Sequence, residues 1–148
     1  MTEYDKNIKH CFIDSNIWLY ALIESQDKNK SNIAKEIIIK NKKSIIISTQ
    51  VINEICVNLI KKANFSEGEI RKLIISFYNK FRIFEMNKAV ILKASAVREN
   101  NCFSFWDSLV VASSLITGCE ILFSEDMQNN FVIENTRIVN PLQGSFKT

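Results

Sequence analysis

Glycine and proline are scarce in this chain, and histidine is almost absent. Its 148 residues include 3 Gly, 1 Pro and 1 His. With so few chain-breaking residues, long disordered linkers are not expected. A single His and scattered Cys cannot supply the N and S ligands of a zinc site. A metal bound by this chain is therefore expected to be a hard cation held by oxygen atoms.

The chain also lacks the signals of membrane insertion and secretion. No run of about 18 apolar residues occurs, which predicts no transmembrane helix. The N-terminal stretch 1–6 is polar and mixed in charge, unlike the apolar core of a signal peptide. We therefore expect a cytoplasmic protein with no membrane partner.

The four cysteines form no C-x-x-C pair. Three of them lie inside apolar segments, and Cys102 does not. This pattern predicts reduced thiols that pack as small hydrophobic side chains.

Size and charge favour one ordinary globular unit. The length, with 47% hydrophobic residues, predicts a single domain over residues 1–148. The net charge of +3 is only mildly basic. If four carboxylates served as metal ligands, the remainder of the chain would carry a net charge of +7, which permits attraction to a polyanion.

Short apolar runs alternate with amphipathic segments along the chain. The runs indicate strands at 10–14, 44–48, 82–85, 120–123 and 137–139. The segments indicate helices at 17–24, 31–43, 50–63, 66–80, 87–100 and 105–117, with a polar turn at 26–30 and Gly118 as a C-cap. No strand has an obvious hairpin partner, so the pattern predicts an α/β fold with a parallel sheet.

Asp14 is the first candidate for chemistry. It ends the buried run Cys11–Ile13, and Ser15 or Asn16 is expected to cap the helix that follows. Ligands bind at the carboxyl ends of strands in open α/β sheets. A carboxylate at this place needs a partner, because an isolated buried charge is costly.

Three further acids are predicted at the same edge. Asp126 follows the fourth strand, although a simple turn acid has the same pattern. Asp107 lies in the first turn of a helix that is apolar nearly all round, so we expect it not to be fully solvated. Its spacing from Ser104 also fits a helix cap. Glu54 lies off the apolar stripe of its helix, and periodicity alone makes it a surface acid.

Four carboxylates without His or Cys suit Mg²⁺ or Mn²⁺. Such a site lowers the pKa of a bound water and neutralises phosphate oxygens, which is the chemistry of phosphodiester hydrolysis. The aromatic residues fall mostly on apolar faces, which indicates core residues rather than platforms for base stacking.

Four segments together resemble the PIN-domain family, and in size the VapC-type toxins of VapBC toxin–antitoxin pairs. They are 12–16, 48–54, 103–108 and 122–128. The resemblance implies a three-layer α/β/α sandwich around a parallel sheet of four to five strands. It implies a Mg²⁺- or Mn²⁺-dependent endoribonuclease with Asp14, Glu54, Asp107 and Asp126 as catalytic metal ligands.

The same resemblance implies helper residues and partners. Ser124 and Asn16 are expected to hold water or the ligating acids in place. An antitoxin protein and a second copy of the chain are the expected partners, with RNA as the substrate. Asn129 and Asn130 stand where relatives often carry a further acid or Gly, and whether they or Glu125 assist the site stays open.

Two other classes of function compete with the nuclease. A PIN-like module that binds RNA or protein without cutting is the first. A phospho-acceptor receiver domain is the second, but no second acid adjoins Asp14 and the third strand does not end in Asp.

Overall fold

The computed structural model describes residues 8–23 and 27–143. The strands within these ranges are β1 (Cys11–Ile13), β2 (Ile45–Ser48), β3 (Arg82–Phe84), β4 (Ile121–Phe123), β5 (Val132–Ile133) and β6 (Thr136–Val139). The helices are α1 (Ser15–Leu22), α2 (Lys28–Lys40), α3 (Thr49–Ala63), α4 (Glu67–Lys80), α5 (Lys88–Asn100) and α6 (Phe105–Ile116).

The strands form one sheet in the order β3-β2-β1-β4-β6-β5. All neighbours pair in parallel except β5 and β6. The central strands are buried: Phe12, Ile46 and Leu122 are each at most 1% exposed. The predicted α/β fold is thus confirmed, with β1 between β2 and β4 and the carboxyl ends of the parallel strands at one edge.

A short hairpin at the sheet edge departs from the prediction. Val132–Ile133 pairs antiparallel with β6, and Glu134 makes the turn with a φ of 50°. The prediction that no strand has a hairpin partner is therefore wrong for β5 and β6. Two residues are too few to show the alternation by which a strand is recognised in a sequence.

Two helix starts also differ from the prediction. Asp14 itself caps α1, since its side chain accepts a hydrogen bond from the Ser15 amide. Asp27 caps α2, which therefore begins at Lys28 rather than after a polar turn. The predicted end of the first helix at residue 24, the start of the turn at residue 26 and the N-terminal stretch 1–6 lie outside the described residues.

The predictions for Gly118 and the cysteines are confirmed. Gly118 follows α6 with a φ of 73°, as a C-cap glycine does. Cys11, Cys56 and Cys119 are buried free thiols, whereas Cys102 is exposed. Among the described helices, none is long and apolar enough to cross a membrane.

Candidate active site

Asp14 lies at the carboxyl end of the central strand β1. Its carboxylate accepts hydrogen bonds from the Ser15 amide at 2.8 Å and from Ser124 Oγ at 2.9 Å. The residue is only 5% exposed. A carboxylate is therefore held in the interior by two neutral donors.

The electrostatic surroundings of Asp14 disfavour its charge. Burial raises the pKa of Asp14 to about 6, although the hydrogen bonds from Ser124 and Ser15 lower it. The negative charges of Glu54 and Asp107 raise this pKa further. Glu54 and Asp107 thus lie near enough to Asp14 for their charges to act on its carboxylate.

Glu54 lies on α3 and faces the start of α1. Ser15 Oγ donates to one carboxylate oxygen at 3.0 Å, and Gln50 Nε2 donates to the other at 3.0 Å. The side chain is half-buried. The periodicity of α3 predicts that Glu54 is a surface acid. It does not predict this contact, because Ser15 lies on another helix.

Asp107 lies in the first turn of α6 and is half-buried, as expected. Ser104 Oγ accepts from the Asp107 amide at 3.1 Å, so the capping contact is present as well. Burial raises the pKa of Asp107, a hydrogen bond with Ser104 lowers it, and the charge of Asp126 raises it. The backbone of Asp107 therefore serves the helix start, while its carboxylate lies in the field of another acid.

Asp126 is the most exposed of the four acids. Asn16 Nδ2 donates to its carboxylate at 2.9 Å, and its amide donates to Ser124 Oγ at 3.3 Å. Ser124 therefore contacts both Asp14 and Asp126. Ser124 and Asn16 thus hydrogen-bond to the acids, and their role at a metal site stays a prediction.

None of the four acids has a cationic partner among the described residues. The ion pairs of these residues involve other acids: Lys30–Glu125, Lys40–Glu36 and Lys93–Glu134. Within the same residues, no three His, Cys, Asp or Glu side chains stand close enough together to hold a metal ion. The donor set still fits a hard cation chemically, because it consists of oxygen atoms whose charges are uncompensated and mutually repulsive.

The other open positions have separate roles. Glu125 is bound by Lys30 and Tyr20, which sequence reasoning did not connect with the site. Asn129 Oδ1 accepts from the Asn140 amide at 2.8 Å, and Asn130 has a φ of 65°. These two residues therefore shape the loop after β4.

Two cavities adjoin the acids. Asp107 and Asp126 line one of about 410 Å³, together with Asn101 and Gln128. Glu54 lines another of about 710 Å³, next to Trp106. Phe105 and Trp106 are 55% and 65% exposed, so the aromatic residues are not all in the core.

The PIN domain family model matches residues 11–131. Among curated proteins, no sequence matches this chain. Similar solved structures include a toxin–antitoxin complex from Klebsiella pneumoniae, with a TM-score of 0.67 at 17% identity over 88% of this chain and 97% of that one. The Mycobacterium tuberculosis VapC20 toxin, described as cleaving the sarcin–ricin loop, has a TM-score of 0.64 at 16% identity over 78% and 91%. DNA-bound VapBC from Salmonella typhimurium has a TM-score of 0.59 at 17% identity over 87% and 96%.

Identities this low show a shared fold alone. The family model, in contrast, spans all four segments that carry the acids up to Asp126. This chain belongs to the PIN domain family.

Proposed function

We propose that this chain is a Mg²⁺- or Mn²⁺-dependent endoribonuclease that hydrolyses RNA phosphodiester bonds. One observation carries the proposal: Asp14 is a buried carboxylate whose pKa is raised by burial and by Glu54 and Asp107, with no lysine or arginine paired to it in the described residues. A divalent cation is the partner that such a group lacks.

Asp14, Glu54, Asp107 and Asp126 would hold the metal. When bound, the metal supplies an acidified water as nucleophile and neutralises charge on the phosphate. The chain's own contribution is orientation. Ser124 fixes one oxygen of Asp14, Ser15 fixes one oxygen of Glu54, and Asn16 fixes one oxygen of Asp126.

We further propose that the chain is the toxin of a toxin–antitoxin pair in the cytoplasm. The similar structures come from such pairs. An apolar groove of about 270 Å³ supports an antitoxin partner, since it lies between α1, α2 and α4 with Lys80 in its lining. A groove of this kind suits an amphipathic helix with acidic residues at its edge.

A homodimer is the expected assembly. The 710 Å³ groove supports it, because Val57, Met86, Trp106 and Leu109 give it an apolar wall. Exposed apolar surface of this kind marks interaction sites.

The nuclease is tested with the purified chain, a single-stranded RNA, and Mg²⁺, Mn²⁺ or a chelator. Wild-type protein should cleave only with metal, and Asp14→Asn should reduce cleavage to background. Asp27→Asn is the matched control, since Asn caps a helix as well as Asp does and Asp27 caps α2. Full activity in the Asp14 variant would overturn the proposal.

The competing proposal is a PIN module that binds RNA without cutting it. The two exposed aromatic residues before Asp107 are the observation in its favour. RNA binding by wild-type protein, with no cleavage in either metal, would favour it.

A further inference from the structure

Glu125 is a neighbour of Asp126, but each of its carboxylate oxygens has a side-chain partner. Lys30 Nζ lies 2.7 Å from one oxygen, and Tyr20 OH donates to the other at 2.8 Å. Lys30 Nζ also lies 3.4 Å from Tyr20 OH and 5.2 Å from the centre of its ring. Residues from α1, α2 and the loop after β4 thus form a closed triad, named here the Glu125 anchor.

The backbone of Glu125 is held as well. Its amide donates to Asn16 Oδ1 at 3.4 Å, and its carbonyl accepts from Asn140 Nδ2 at 3.4 Å. These two bonds are long, whereas the two side-chain contacts are short and charge-assisted. The side chain of Glu125 is therefore the stronger attachment of the loop.

One face of α1 binds two consecutive residues of this loop. Asn16 and Tyr20 are four residues apart, which places them on the same side of the helix. Asn16 contacts the Asp126 carboxylate, and Tyr20 contacts the Glu125 carboxylate. Asp126 is exposed, and the loop that carries it is attached to α1 through both contacts.

We propose that Glu125 is a positioning residue: the Glu125 anchor fixes the loop so that Asp126 stays beside Asp107, and Glu125 is not a metal ligand. The inference rests on the proposed function, in which Asp126 helps to hold the metal. It extends the site to Tyr20 and Lys30, two residues outside the four acids.

Lys30→Met separates a positioning role from a simple electrostatic effect, because the two predict opposite changes in Mn²⁺ affinity. Removing a positive charge near an acidic site should by itself strengthen the binding of a cation. Loss of the anchor should instead weaken Mn²⁺ binding, by roughly tenfold as for other residues that orient metal ligands. Lys28→Met is the matched control, since it removes the same charge from an exposed position on the same helix.

The experiment combines Mn²⁺ calorimetry with amide hydrogen exchange of the metal-free protein. We expect weaker Mn²⁺ binding in Lys30→Met and Tyr20→Phe, restored affinity in Lys30→Arg and no change in Lys28→Met. The amides of Glu125 and Asp126 should exchange faster in the first two variants, while thermal unfolding reports that each variant is folded.

Tighter or unchanged Mn²⁺ binding in Lys30→Met would overturn the inference. If wild-type protein binds no Mn²⁺, the proposed function fails, and the exchange measurement alone decides about the anchor. Faster exchange at Glu125 and Asp126 then supports it, and unchanged exchange overturns it.

Discussion

The fold treats the two acids that follow β4 in opposite ways. Glu125 has a lysine and a tyrosine on its carboxylate. Among the described residues, the Asp126 carboxylate accepts from the side-chain amide of Asn16, and that of Asp14 accepts from a hydroxyl and a backbone amide. We call Glu125 with its partners the satisfied region, because a lysine compensates the charge of its carboxylate. Asp14 and Asp126 belong to the unsatisfied region, because neither has a cationic partner among the described residues.

This difference separates an acid with a charged side-chain partner from the acids of the proposed metal site. Lys30 pairs with Glu125, whereas the four acids at the same sheet edge have no cationic partner among the described residues. Burial of Asp14 raises its pKa and makes its charge costly in the metal-free state. At the proposed metal site, Asp14 is therefore the acid whose charge a bound cation would stabilise most.

The largest expected effect is on the rate of RNA cleavage, which should depend more on Asp107 than on Glu125. Asp107→Asn should lower the rate of RNA cleavage by roughly 100-fold or more, as losses of groups that act on the transition state do. The cap of α6 should survive, because Ser104 accepts from the backbone of residue 107. Glu125→Gln should cost less than Asp107→Asn in the same assay. Equal losses would remove the distinction between the regions.

The next effect concerns stability without metal. With a pKa of about 6, Asp14 keeps its proton in the folded chain between about pH 4 and pH 6, whereas the unfolded chain loses it. Stability therefore falls as pH rises through that window and levels off above it. At pH 7 the raised pKa of Asp14 lowers the free energy of unfolding by about 3 kcal/mol.

Asp14→Asn should therefore stabilise the metal-free protein at pH 7 and reduce this pH dependence. Urea unfolding at pH 4, 5, 6 and 7 with a chelator measures both. A metal-free Asp14→Asn variant that is less stable than wild type at pH 7 would contradict the account.

Ser124→Ala should change the free energy of unfolding by less than Asp14→Asn does. The change removes the donor to Asp14 and the acceptor of the Asp126 amide inside a fully buried site. We expect a loss of about 1–3 kcal/mol in urea unfolding. The pKa of Asp14 should rise further, because the bond from Ser124 lowers it.

Ser113→Ala is the matched control for Ser124→Ala. Ser113 is also fully buried, but its hydroxyl donates to the Leu109 carbonyl within α6. Its removal should cost less and leave the pKa of Asp14 unchanged. Equal costs for the two serines would mean that Ser124 has no special link to the acids.

The smallest expected effect is on the satisfied region. Lys30→Met should reduce the free energy of unfolding by at most about 1 kcal/mol, because the Lys30–Glu125 pair is partly solvated. The loss should shrink in high salt, which screens such pairs. Urea unfolding at low and high salt measures it. A loss that is larger and independent of salt would place the pair among the main stabilising contacts.

Sequence reasoning works best where the decisive pattern is local. The run Cys11–Ile13 before Asp14 identifies a buried strand that ends in a carboxylate. The nearly apolar helix α6 indicates that Asp107 is not fully solvated, which its half-buried side chain confirms. In both cases, neighbours within a few residues determine the environment.

It fails where distant residues meet. Ser15 contacts Glu54 from another helix, and no pattern within α3 predicts that contact. Ser15 and Asn16 look like helix caps in the sequence, but Asp14 takes that role and leaves them free to bind acids. The anchor of Glu125 by Tyr20 and Lys30 is equally invisible, because no local pattern links α1 and α2 to the loop after β4.

Calorimetric titration of the metal-free protein with Mn²⁺ tests the central claim most directly. The account predicts that wild-type protein binds Mn²⁺ and that Asp14→Asn, though folded, loses this binding, while Asp27→Asn keeps it. No heat from wild-type protein at millimolar Mn²⁺, or equal affinity in the Asp14 variant, would contradict the claim that the four acids form a metal site.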